Sequence, residues 1–240
     1  MRFPRLFTDA TLVVGKDIRL PAEQSHYLRQ VLRLQKGDHV LMFNGASAEY
    51  EAEIILLSKQ TCDCRVLSSD TVGRELSVSV HVIQAACRND KIETVLQKCT
   101  ELGAASFQIV VSDRATLRLA PGKSGSRLSR WRKIIIEASE QSGRTRIPEI
   151  SWRKSWSEIQ SGGRCFVLNP EGNQFWTDVR PGVAKAKSVT LAVGPEGGWS
   201  ERDLENWQGL GFEGLCFGPR ILRTETAAPA LLAAIQAVLD

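Results

Sequence analysis

The sequence predicts an α/β domain preceded by a small β-rich unit, and three observations carry that assignment. From Leu76 onward, short apolar runs alternate with helical patterns, as in a sheet whose strands are joined by helices. Twice near the C-terminal end, a strand runs into a glycine-containing turn before a helix: Ser188–Val193 before Gly194-Pro195, and Leu215–Phe217 before Gly218-Pro219. Over residues 1–70, several short strands accompany one small helix, which fits a compact barrel.

A chain of 240 residues has room for two modest domains. No apolar run approaches a membrane span, and Met1-Arg-Phe-Pro-Arg5 lacks the apolar core of a signal peptide. A soluble, cytoplasmic protein is expected. Six cysteines are scattered among apolar neighbours, with Cys62 and Cys64 on one face of a strand, so free buried thiols are expected rather than zinc or disulfides. The net charge of +4 is modest, but it is unevenly spread. Residues 1–36 hold seven Lys/Arg against three acids and residues 113–154 hold eleven against four, whereas residues 37–70 reverse the sign. Clustered basic groups of this kind suit a phosphate backbone or an ordinary solvated surface.

In chain order, Ser25 is expected to cap a helix from His26 to Leu34, stopped at Lys36-Gly37, with Leu28, Val31 and Leu32 inward. Arg29 and Arg33, four apart, would then project together and could grip neighbouring phosphates. His26 reads as a hydrogen-bonding surface residue. His39–Phe43, Asn44-Gly45 and Ala48–Leu57 read as a hairpin with a type I′ turn, and Thr61–Leu67 adds a strand. Asp70 to Glu75 reads as a linker, giving domains at 1–70 and 76–240.

The second domain opens with a strand over Leu76–Ala85, after which Cys87–Glu93 leads into a helix through Leu102, ended by Gly103 as its C′ residue. Arg88, Lys91 and Lys98 in this stretch suit RNA contacts or solvent equally. Phe107–Val111 is a strand, Arg114–Gly125 a basic loop and Ser126–Ser142 a helix. Residues 151–163 are read as a connecting helix and loop, Arg164–Leu168 as a buried strand, and Asp178–Lys187 as a solvent-facing connector. Ser200 with Asp203 approximates a capping box. Pro229 is tolerated in a first helical turn, which places the start of the last helix near Thr226.

The chemistry narrows by residue type. There is no G-x-G-x-x-G after an early strand, no phosphate-loop G-K-[ST], no Ser/His/Asp order and no clustered metal ligands. The three histidines all fall within the first 81 residues, which speaks against hydrolysis by a metal or a histidine base. No metal is expected.

Gly194-Pro-Glu-Gly-Gly-Trp-Ser200, followed by Gly218-Pro-Arg-Ile-Leu-Arg-Thr-Glu-Thr-Ala227, resembles the RsmE-type 16S rRNA (uridine N3) methyltransferases of the SPOUT superfamily. The likeness extends to His26-Tyr-Leu-Arg-Gln-Val-Leu-Arg-Leu-Gln-Lys-Gly-Asp38, to Lys91–Gly103 and to Glu137-Ala-Ser-Glu-Gln-Ser-Gly-Arg-Thr-Arg-Ile-Pro148.

The resemblance implies a PUA-like RNA-binding barrel followed by a SPOUT domain with a C-terminal trefoil knot, and S-adenosylmethionine as cofactor. It implies 16S rRNA of the small ribosomal subunit as substrate and a homodimer as the working form. Carried onto this chain, the cofactor would lie on Leu168, Asn169 and Pro170, on Gly194, Pro195, Glu196, Gly197 and Gly198, and on Phe217, Gly218, Ile221, Leu222, Thr224, Thr226 and Ala227, with Glu196 also holding its own turn. RNA contacts would come from Arg2, Arg5, His26, Arg29, Arg33, Arg88 and Lys91. Arg223 is expected to stabilise negative charge on the uracil oxygens and Glu225 to orient the base or take its proton; the competing reading is that the two brace the knot. Glu140 and Gln141 are expected to position Arg144 or a neighbouring subunit. Two other functions stay open: a SPOUT methyltransferase with another RNA target, and a non-catalytic RNA-binding protein.

Overall fold

The computed structural model describes residues 3–120 and 122–240, so the RNA contact expected at Arg2 lies outside the described residues. The described chain divides into two units, one running up to Arg74 and including Ser139–Ile147, the other spanning Glu75–Ala138 and Pro148–Asp240.

In the first unit, alternation of apolar and polar residues produces strands β1 (Arg5–Phe7), β2 (Asp17–Leu20), β3 (His39–Phe43), β4 (Ala48–Leu57) and β5 (Cys62–Thr71). They form one sheet in the order β1-β3-β4-β5-β2, antiparallel except for β1 beside β3. Register shifts at Glu51/Ala52 and Ile54/Leu56 bend the long β4–β5 ribbon. The ribbon wraps a core that includes Leu6, Leu20, Leu28, Val40, Met42, Ile54 and Val66. Cys62 and Cys64 lie in this core with sulfurs 3.6 Å apart, both as free thiols.

Three local expectations are corrected here. The short helix α1 spans Ala22–His26 and continues into a wider turn over Tyr27–Val31, in which Leu32 N donates to Tyr27 O. Ser25 is therefore inside the helix, buried, and donates to Ser58 O at 2.9 Å instead of capping. Val31 faces solvent at 61% exposure, and Arg33 adopts φ +55, so the chain has left the helix before the Arg29/Arg33 spacing can place both on one face. In the β3–β4 hairpin the link is four residues long and only Gly45 has positive φ, so the turn is not type I′, which needs two such residues.

Arg5 is also corrected. It is 9% exposed, ion-paired with Glu49, donates to Arg144 O at 2.8 Å, and stacks its guanidinium over Phe43. Arg74 pairs with the same Glu49 and donates to Gly143 O at 2.7 Å, and Phe7 N donates to Glu140 Oε1 at 2.9 Å. Glu140 and the turn after it are thus bound into the first unit by backbone and carboxylate contacts.

The second unit is a parallel seven-stranded sheet. Its strands are β6 (Ser79–Ala85), β7 (Ser106–Val110), β8 (Glu149–Arg153), β9 (Arg164–Leu168), β10 (Gln174–Phe175), β11 (Ser188–Val193) and β12 (Glu213–Cys216), in the order β10-β12-β9-β11-β6-β7-β8. Helices α2 (Asn89–Glu101), α3 (Ser124–Ser142), α4 (Trp176–Ala184), α5 (Glu201–Gly209) and α6 (Thr224–Leu239) link them. β11 is buried along nearly its whole length, as a central parallel strand requires. Gly103, at φ +93, follows α2 as its C′ residue.

Two segments differ from their expected form. The connecting helix and loop expected over residues 151–163 begins instead within the edge strand β8 at 149–153, with Trp152 stacked on Trp131. The connector expected over 178–187 is largely helix α4 at 176–184, which buries Val179 and Val183. α6 begins at Thr224, two residues earlier than expected, so Pro229 sits in its second turn. α6 packs on α2 and touches α4 and β11. Among the described residues, no helix is long and apolar enough to cross a membrane.

The strand order sets up the site. The chain builds β6, β7 and β8 outward on one side, then returns to place β9, β11 and β12 on the other. The link from β12 to α6 comes back to the Gly194 turn, where Thr224 Oγ1 donates to Gly194 O at 2.6 Å. This return is consistent with the knot of the fold class.

Candidate active site

Parallel strands end together, and the loops leaving their C-terminal ends are where an open α/β sheet receives a ligand. Here the loops after β9, β11 and β12 bound a cleft of about 950 Å³. Each loop is held by contacts that its own sequence provides.

After β9, Asn169 Oδ1 accepts from Glu171 N at 3.1 Å and Asn169 N donates to Leu215 O at 3.0 Å. The Asn169 side chain therefore shapes its own turn. Gly172 packs so closely on Gly214 that a β-carbon there would fall 2.6 Å from backbone atoms. After β11, Gly198 N donates to Pro195 O, and Trp199 Nε1 reaches back to Leu168 O at 3.2 Å. Ser200 then caps α5 in a full capping box with Asp203, and Ser200 Oγ donates to Asp113 Oδ2 at 2.7 Å. Beneath lies an aromatic cluster in which Trp207 meets Trp156, Trp199 and Phe212 at centroid distances of 4.8, 5.3 and 4.6 Å. After β12, Gly218 turns the chain at φ +75, a conformation a side chain would strain.

Most of the residues expected around the cofactor are brought together. Leu168, Asn169, Pro170, Gly194, Pro195, Glu196, Gly197, Gly198, Phe217, Gly218, Ile221, Leu222, Thr224 and Ala227 line the cleft, and Thr226 does not. Arg223, the N-cap residue of α6, lines it as well. Glu225 does not line it; its Oε2 lies 3.2 Å from Lys91 Nζ. That position does not suit a group meant to take a proton from the base. Burial pushes the Glu225 carboxyl upward, but a backbone hydrogen bond, the Lys91 ammonium and Arg223 outweigh it and hold the group below the ordinary carboxylate range.

The RNA contacts expected on α2 also move. Arg88 is exposed and paired with Asp90 at 2.9 Å. Lys91 is in the cleft wall, between Glu225 and Glu196. Glu196 accepts from Arg88 N and from Thr116 Oγ1, so it ties the glycine-rich turn to two neighbouring segments. His26 is exposed, and Arg29 is half-buried.

Sequence reasoning missed Gln84 and Arg114. Gln84, fully buried at the end of β6, donates to Thr224 Oγ1 at 2.8 Å and to Ala85 O at 3.1 Å, with Gly194 O at 3.4 Å. One amide thus joins β6, the glycine-rich turn and the head of α6. Arg114 Nη1 donates to Gly197 O at 2.8 Å and fastens the same turn from the basic loop. The nearby Cys87 thiol is pushed up to about 12, chiefly by burial and then by Glu196, so it is no nucleophile.

The cleft suits an adenosyl-type ligand. Leu168, Val193, Leu215, Phe217, Leu222 and Ala227 give an apolar lining, and Gly194, Gly197 and Gly198 of the glycine-rich turn let a ligand approach the backbone closely. Among the described residues, no group of three or more His, Cys, Asp or Glu side chains could hold a metal ion.

The RNA methyltransferase domain matches residues 74–236, and the RNA methyltransferase PUA domain matches residues 20–67. Ribosomal RNA small subunit methyltransferase E of Bacillus subtilis strain 168 is 30% identical over 226 residues, covering 90% of this chain and 88% of that protein. Among solved structures, a Legionella pneumophila methyltransferase in complex with S-adenosylmethionine superposes with a TM-score of 0.90 at 32% identity, covering 99% of this chain and 98% of that one. Ribosomal RNA small subunit methyltransferase E of Neisseria gonorrhoeae, bound to S-adenosylmethionine, gives a TM-score of 0.89 at 31% identity, with the same coverage.

Proposed function

Because this chain belongs to the ribosomal RNA small subunit methyltransferase E family, we propose that it methylates N3 of a uridine in 16S rRNA of the small ribosomal subunit. The observation that carries this reading is the convergence of three strand-end loops on one cleft lined by apolar side chains, a glycine-rich turn and cationic side chains. Relatives of the same fold hold S-adenosylmethionine, and the lining residues here fit that cofactor.

Bound S-adenosylmethionine supplies an activated methyl group: N3 gains the new N–C bond, the S–C bond breaks with its electron pair left on sulfur, and the N3 proton leaves to solvent. The chain's own work is placement and charge. The loops at 168–170, 194–198 and 217–227 would grip the cofactor largely through backbone groups. Arg223, at the cleft wall, would hold the uracil oxygens and stabilise the negative charge they gain. The base must be unpaired and splayed out to expose N3. The N-terminal region of about seventy residues would hold the RNA, using Arg29, Arg33 and His26. A homodimer acting in the cytoplasm completes the reading.

The test is transfer of labelled methyl from S-adenosylmethionine to small subunits lacking modifications, with the product nucleoside identified. The expected product is 3-methyluridine. Transfer only to another RNA would keep the chemistry and replace the target.

A further inference from the structure

The Lys91 ammonium is the centre of a three-charge cluster at the cleft wall. It lies in the first turn of α2, with its side chain only 15% exposed, 3.2 Å from Glu225 Oε2 and 3.6 Å from Glu196 Oε1. Lys91 and Glu196 line the cleft, whereas Glu225 stands behind. Glu225 Oε2 is sealed from solvent, so the ammonium is what balances its charge. A helix charge that serves solubility alone would extend into water rather than into this arrangement.

Lysine has three donors on a flexible stem. Carboxylates on α6 and on the glycine-rich turn lie 3.2 and 3.6 Å from the Lys91 ammonium and hold it in place by charge. Its donors can turn toward whatever enters the cleft. An imide nitrogen such as N3 lies between two carbonyl oxygens, and loss of its proton spreads negative charge onto both. A fixed, poorly hydrated cation within reach of one oxygen stabilises that charge without having to reorganise.

We propose that Lys91 is a catalytic residue that donates to a carbonyl oxygen of the target base, and that Glu225 is a positioning residue acting through it. This assignment rests on the uridine reading above. It replaces a direct role for Glu225 at the base, and it gives the cleft a second cation beside Arg223.

The experiment is single-turnover transfer to unmodified small subunits, run beside calorimetric titration of S-adenosylmethionine and thermal denaturation of each variant. With Lys91→Met, the transfer rate should fall by roughly 100- to 1,000-fold, the usual loss for one such donor, while cofactor affinity stays within about threefold. Lys91→Arg, which keeps the charge, should recover part of the rate. Glu225→Gln should also slow transfer rather than weaken cofactor binding, and Lys91→Met/Glu225→Gln should be no slower than Lys91→Met alone, since the two share one effect. A Lys91→Met enzyme at the wild-type rate overturns the proposal and leaves the uridine reading intact. A loss of cofactor affinity with the transfer rate unchanged assigns Lys91 to the cofactor instead, and multiplied losses in the double variant overturn the role of Glu225. A wild-type enzyme that forms no methyluridine overturns the reading and the proposal together.

Discussion

Gln84 carries no charge and lies within an apolar strand, yet its amide joins three segments of the site, its contact with Thr224 spanning 140 positions. Buried hydrogen bonds of this kind contribute about 1 kcal/mol each, and an unmatched partner costs more. Gln84→Leu should strip the donor from Thr224 and loosen the Gly194 turn. Cofactor affinity is expected to fall about tenfold or more, measured by calorimetry, with a lower Tm alongside. Unchanged affinity would mean that Thr224 alone sets the turn. Arg223 belongs at the same scale but makes a different prediction. It is exposed at the cleft wall, so Arg223→Ala should leave cofactor binding and Tm near wild type while slowing methyl transfer by roughly 100-fold or more. Wild-type transfer by that variant would return Arg223 to a bracing role.

Among the elements, legibility followed how completely each segment's own residues decide its structure. Ser188–Val193 and the Ser200/Asp203 cap could be read directly, because a buried parallel strand is rich in β-branched and apolar residues and a capping box is a local pair. β8 and α4 could not. β8 is an edge strand with no fully buried position, and α4 is a short helix with Pro181 and Gly182 inside it, so neither carries a clean period. The site divides the same way: glycines and prolines marked the three loops, but Gln84, Arg114 and the inward turn of Lys91 depend on partners far along the chain. Arg5 failed as an RNA contact for a related reason, since composition counts a cation without showing that Glu49 has claimed it.

The turn after α1 yields a prediction of its own. Arg29 and Arg33 make no ion pair among the described residues, so their charge remains available to phosphates. Replacing both with alanine should weaken RNA binding evenly across sequences and reduce the slope of log K against log salt by about 1.5 to 2. Cofactor titration should not change. A salt slope equal to wild type would remove this turn from the RNA surface.

Over the whole molecule, many basic residues have acidic partners on the surface of the same chain. Arg19, Arg65, Arg88 and Arg130 pair with Asp63, Asp17, Asp90 and Glu93, and hold all four carboxyls below their ordinary range through hydrogen bonds and charge. Groups with depressed folded-state values stabilise the protein above their unfolded values, 3.8 for Asp and 4.5 for Glu, and that contribution is lost as pH falls through the folded values. His81, hydrogen-bonded to Ser106, is pushed below its ordinary 6.5 by burial, so the unfolded chain gains a proton first as pH drops. Of these groups Asp90, Glu93 and His81 belong to the second unit, whose stability should therefore begin to decline below about pH 6.5 and fall a little further, as such exposed pairs allow, under pH 4.5. All six tryptophans lie between residues 131 and 207, so their fluorescence in urea reports on that unit. His81→Gln should flatten the first decline only; a slope that persists between pH 6.5 and 5 places its source elsewhere.

The bond between Thr224 and Gly194 also has a meaning in time. A ribosome emits β11 and its glycine turn well before α6, and Gln84 earlier still, yet the cofactor cleft needs all three together. A growing chain is therefore expected to lack a closed methyl-donor site until α6 has emerged and doubled back, and a chain cut short before Thr224 should bind S-adenosylmethionine poorly.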